Sequence, residues 1–181
     1  MKKEKRSTNK LILCGGTDLW VTMMVFLNFK NAIKAEQEIV KASISDKPFN
    51  WYYGEYTEGN QKYDCLTEGH VMVAFGFNTF AISKEIFEVN NRVLNIAQLM
   101  DKANELSNEP AHLVGVKLLK GNKDNYCILK KETGEEIPFN EKYKKYFTDN
   151  VEYKVYDSKS PIKIYDGGVF MGIIMPVYIK E

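Results

Sequence analysis

Histidine is nearly missing from this chain, with His70 and His112 the only two in 181 residues. Repeated imidazole pairs of the kind that build zinc centres or proton relays are therefore excluded. Cysteine is scarce as well. Cys14, Cys65 and Cys127 are odd in number and far apart, which excludes a disulfide framework and fits buried free thiols in a reducing compartment. Charge of one sign is not in excess. Twenty-five Lys and Arg face 24 Asp and Glu, a net charge of +1, so no global field marks the chain for a polyanion. Long apolar runs are lacking too: Leu19 to Leu27 spans nine residues, includes Thr22 and is too short to cross a bilayer. It follows Gly15-Gly16 without a small-residue cleavage pattern. The expectation is a cytoplasmic protein with no signal peptide and no membrane partner.

What is present is a folding composition, 44% hydrophobic and 13% aromatic in 20.9 kDa, enough for a proper core. Lys2, Lys3, Lys5, Arg6 and Lys10 make residues 1–10 a basic flexible tail. Such a tail is normally solvated. Residues 11–181 show no repeat, low-complexity tract or long linker and read as a single domain.

Along that domain, Leu11 to Cys14 reads as a short strand that breaks at Gly15-Gly16. Thr17 or Asp18 can cap a helix toward Lys41. From about Asn28 the apolar arc of Phe29, Ala32, Ile33 and Val40 opposes Lys30, Lys34 and Lys41, whereas Leu19 to Leu27 is open to a strand. Trp51 to Tyr53, Lys62 to Leu66 and His70 to Phe75 read as strands, with Glu58-Gly59-Asn60 a hairpin turn. Asn95 and Gln98 open a helix whose apolar face is Ile96, Leu99, Met100, Ala103 and Leu106. Leu113 to Leu119 and Tyr126 to Lys130 are two more strands. The chain then closes with a short helix, two strands, a turn at Asp166-Gly167-Gly168 and an apolar strand ending at Met175-Pro176. The fold class this predicts is α+β, with mainly antiparallel sheets and about three helices.

Catalytic chemistry finds little purchase. No Ser or Cys has a recognisable base, so no catalytic residue is assigned. The turn Cys14-Gly15-Gly16-Thr17-Asp18 resembles the opening of a Rossmann-like nucleotide-sensing domain, but it lacks GxGxxG spacing and a Walker-type lysine. A tight turn and helix cap is the plainer reading. Asp64, Glu68 and His70 fall on even positions and would share one strand face. With His112 they could converge on a metal, but a solvated strand face is the default, and no metal or cofactor is assigned.

Two stretches carry a family resemblance. Thr67-Glu68-Gly69-His70, followed by an apolar run to Phe75, resembles the Thr-Asp-Gly-His turn of DNA sliding-clamp domains, with Glu in place of Asp. Ile137 to Ile179 resembles the end of such a domain: a helix opening with Asn, strands, and a closing hydrophobic strand with Met-Pro. The resemblance implies a clamp-like fold and a helix whose lysines meet the DNA backbone, here Lys30, Lys34 and Lys41. Three lysines are a thin electrostatic footprint. A clamp ring is built from about six such domains, so one chain of this length would be a lone module or one of several copies. The function expected is a non-enzymatic module that binds a protein partner, or DNA, of a replication or repair machine. A phage or mobile-element accessory protein that inhibits a host nuclease, such as a CRISPR effector, is the alternative, since inhibition needs only a complementary surface. A nucleotide-binding sensor is a further one.

Overall fold

A computed structural model describes residues 34, 36–38, 40–41, 50–76, 84–89, 92–105, 108–118 and 124–178. Its strands are β1 (Tyr52–Glu58), β2 (Gln61–Thr67), β3 (Val71–Gly76), β4 (Glu109–Leu118), β5 (Asn125–Lys131), β6 (Glu136–Asn140), β7 (Glu152–Val155), β8 (Ile162–Asp166) and β9 (Val169–Ile174). Two short α-helices, α1 (Glu85–Val89) and α2 (Ile96–Glu105), lie between β3 and β4. A 3-10 helix, Glu141–Tyr146, follows β6.

The nine strands among the described residues join one antiparallel sheet in the order β1-β2-β3-β9-β8-β7-β4-β5-β6, curled into a half-barrel. It is three meanders of three strands each, and the last in sequence is the middle one in space. β9 pairs with β3 and β7 with β4, so the C-terminal meander bridges the other two. The expected α+β class is thereby corrected to mainly β, because the helices described are short and one sheet carries the architecture.

Local chemistry explains the individual turns. Gly59 takes φ 60° between β1 and β2, and Gly167 and Gly168 take φ 55° and 83° between β8 and β9, a conformation costly for other residues. Asn140 caps the 3-10 helix by accepting from the Lys142 N–H at 3.0 Å. Asn95 caps α2, accepting from the Gln98 N–H at 3.2 Å.

The sheet is buried on both faces at its centre. Leu66, Val71, Val73, Cys127, Leu129, Phe139, Ile164 and Met171 belong to one apolar cluster. Tyr56, Tyr63, Cys65, Met72, Ala74 and Phe170 belong to a second, closed by Ile96 and Met100 of α2. Neighbouring residues of β2, β3 and β9 alternate between the clusters, the pattern of a strand with both faces dry.

Asp64 corrects a second expectation. It is not part of a solvated face but is buried, 1% exposed. It accepts from the Tyr53 hydroxyl at 2.7 Å and pairs with the Lys84 ammonium at 2.9 Å. Glu68 and His70 lie beyond the end of β2, and the His70 ring stacks on Tyr143 at 6.3 Å.

Candidate functional site

A sheet must do something with its edge strands, whose free N–H and C=O groups invite another chain. Both outermost strands here carry a cover. On β1, the Tyr53 N–H donates to the Arg92 carbonyl at 2.9 Å, and the Tyr53 carbonyl accepts from the Leu94 N–H at 2.8 Å. Arg92 also lies over the Tyr52 ring at 4.7 Å. On β6, the Pro138 carbonyl accepts from the Val177 N–H at 2.8 Å. Pro138 itself has no N–H to offer.

The exposed edge lies inside the strand order. β4 runs for ten residues and its neighbour β7 for four, and the two pair only at Glu109, Pro110 and Ala111. From His112 to Leu118, β4 pairs with β5 alone among the described residues. Every residue of that overhang is exposed. Leu113 is 39% exposed, Val114 56%, Val116 49% and Leu118 70%, so the open ladder edge coincides with uncovered apolar side chains.

Register sorts these side chains by face. Leu113 lies opposite Leu129 and Val116 opposite Cys127, and Leu129 and Cys127 belong to the larger apolar cluster. Leu113, Val116 and Leu118 therefore share the core-side face. His112 lies opposite Lys130 and Lys117 opposite Tyr126, on the other face. A bulge between Leu113 and Gly115 inserts Val114 and resets the alternation. Lys117 bonds Glu136 at 2.8 Å in an exposed pair, and that hydrogen bond holds the Glu136 carboxyl below its ordinary range.

Where β4 and β7 part, a cleft of about 390 Å³ opens, lined by Ala111, His112 and Leu113 on one side and Asp149, Val151, Glu152 and Tyr153 on the other. Lys144, from the 3-10 helix, reaches the same cleft. Burial dominates in pushing the Tyr153 hydroxyl up to about 12. A smaller, mostly apolar cleft of about 270 Å³ lies between α2 and the β3–β9 junction, with Met72, Met100, Met175 and His70 in its wall.

Of the lysines expected to meet DNA, Lys30 is outside the described residues. Lys34 and Lys41 are helical and exposed. Lys34 Nζ donates to the Lys145 carbonyl at 3.4 Å. Between them Glu38 pairs with Lys145 at 2.5 Å and accepts from the Tyr146 hydroxyl. Burial raises the Glu38 carboxyl, but the hydrogen bonds from Lys145 and Tyr146 outweigh it and hold the group below its usual range. The surface around these lysines is thus of mixed sign. The turn Cys14 to Asp18 also lies outside the described residues. Among the described residues, no group of three metal-ligating side chains converges, and no helix is long and apolar enough to cross a membrane.

From sequence alone the β4 overhang reads only as a strand over Leu113 to Leu119. Its signal was local: Val and Leu interleaved with His and Lys, without a covering partner that sequence could name. The fold and this edge define the molecule as a mainly-β, open-edged half-barrel. No protein-family model, curated protein or solved structure matches the chain.

Proposed function

We propose that the protein is a non-enzymatic binding module that takes an extended segment of a partner protein onto the free edge of β4. The observation that carries this reading is the overhang from His112 to Leu118, paired on one side only among the described residues and exposed throughout. Strand addition uses main-chain hydrogen bonds for affinity and alternate side chains for selectivity. The adjoining cleft between β4 and β7 adds a recess beside the first of those residues.

The bulge at Val114 and the charge at Lys117 are the devices by which edges resist indiscriminate pairing. They narrow the choice of partner rather than cover the edge. The resemblance of Thr67 to Phe75 and Ile137 to Ile179 to clamp domains makes a replication or repair protein the donor to test first.

The test is selection from a display library of extended peptides, followed by amide hydrogen exchange of the full chain. Selected peptides are expected to slow exchange at residues 112–118 and to lose binding with Val116→Lys plus Leu118→Lys. Selected peptides that leave those amides unchanged, or a library that yields none, would sink the reading.

A further inference from the structure

We infer that the segment accepted by β4 alternates apolar and acidic side chains. This rests on the strand-addition reading above and goes further, because the two faces of the overhang differ in chemistry.

A strand laid along β4 places its side chains alternately on the two faces of the sheet. On the core-side face it meets Leu113, Val116 and Leu118, which are apolar and partly uncovered. On the opposite face it meets His112 and Lys117, with Lys130 in the next row behind His112. Lys117 and Lys130 are both exposed. Apolar groups fit the first row. Carboxylates fit the second, since Lys130 lies two strand spacings from the added strand, about 9–10 Å, well inside the Debye length of about 30 Å at 0.01 M salt. Glu136 holds Lys117, but the pair is exposed, 57% and 47% by side chain, and such pairs yield readily to a competitor.

A second copy of this chain fits the edge poorly. A two-fold axis at Gly115 sets Leu113 against Lys117, which lie on opposite faces because of the bulge. An axis at Lys117 sets like charges face to face. An axis at Val116 pairs only Val114 to Leu118 before the bulge breaks the register. The occupant is therefore a different chain, complementary in charge.

The experiment uses the full chain and three synthetic heptapeptides with valine at alternate positions and glutamate, serine or lysine between. Alternate amides are N-methylated so that each peptide offers one hydrogen-bonding edge. Titration at low salt, read with hydrogen exchange at residues 112–118, is expected to rank glutamate tightest and lysine weakest. The glutamate peptide should exceed the serine one by roughly fivefold, the effect of two exposed ion pairs. Lys117→Glu with Lys130→Glu should reverse the order, and a thermal melt verifies that this variant is folded. Equal binding of all three peptides with protection of 112–118 would overturn the charge code and leave strand addition standing. Failure of every peptide would remove both. Concentration-dependent protection of 112–118 without peptide, with a dimer in sedimentation, would replace the acidic partner with a second copy.

Discussion

β2 and β4 belong to the same sheet and each mixes apolar with charged residues, yet they occupy opposite environments. From Tyr63 to Thr67 β2 is buried without interruption, and from His112 to Leu118 β4 is exposed without interruption. β2 lies between β1 and β3, paired along its length on the first side and from Tyr63 onward on the second. β4 loses one neighbour after Ala111 because β7 is short. The difference teaches that hydrophobicity and β propensity place a segment in a sheet, while the lengths of its neighbours decide whether it is core or surface.

The largest test of this contrast compares two strand glycines. In β9, Gly172 has φ +140°, and a Cβ there would stand 2.0 Å from the Met72 carbonyl oxygen. Gly172→Ala must push β3 and β9 apart and is expected to cost about 4 kcal/mol or more. In β4, a Cβ on Gly115 meets nothing within 4 Å, so Gly115→Ala should be neutral or slightly stabilising. Urea denaturation of both variants checks the pair; equal midpoints would show that the central position of β9 is wrong.

A second comparison truncates side chains on the two strands. Leu66 is fully buried, and Leu66→Ala is expected to lose about 3 kcal/mol through lost transfer energy and a cavity. Val116 is half exposed, and Val116→Ala should stay within about 0.5 kcal/mol. If Val116→Ala proved as costly as Leu66→Ala in a denaturant titration, the overhang would be covered in solution.

Charge pairs sharpen the contrast further. Asp64→Ala strips a buried carboxylate from Tyr53 and Lys84 and is expected to cost about 2 kcal/mol, tempered by the partial exposure of Lys84. Glu136→Ala, which breaks the exposed pair with Lys117, should leave the thermal midpoint where it was. A reversed order of the two effects would refute the burial assigned to Asp64.

The smallest effect concerns alkaline pH at the end of β7, where β4 departs. Burial raises the Tyr153 hydroxyl to about 12, against about 10 in an unfolded chain. Below pH 10 both states keep the proton. As pH rises from about 10 to about 12, only the unfolded state releases it, so stability falls through that window. Tyr153→Phe should flatten the decline in denaturation midpoints between about pH 10 and 12; an unchanged slope would contradict the burial of Tyr153.

Much of the local structure was legible in the sequence. The turns at Gly59 and at Gly167-Gly168 were written in residues that tolerate positive φ, and Asn95 and Asn140 announced two helix starts through their capping side chains. β6 was not foreseen, since Pro138 interrupts a five-residue segment and reads against a strand. It survives because an edge strand can do without one N–H. Asp64 was misread for a different reason. Period-2 reasoning put it on a polar face with Glu68 and His70, but the strand ends before either, and the same face of β1 and β2 carries Tyr53.

The sequence by itself determined where most of the strands form, β6 excepted, where they turn, and that the chain is near electroneutral, because these follow from side-chain shape, backbone freedom and composition within a few residues. Only the tertiary structure decided that the three meanders make one sheet, that the last is inserted between the others, and that β4 outruns β7 to leave an edge open. Those outcomes depend on pairings between residues tens of positions apart, whose energies are set by mutual register and length and are invisible in any local window.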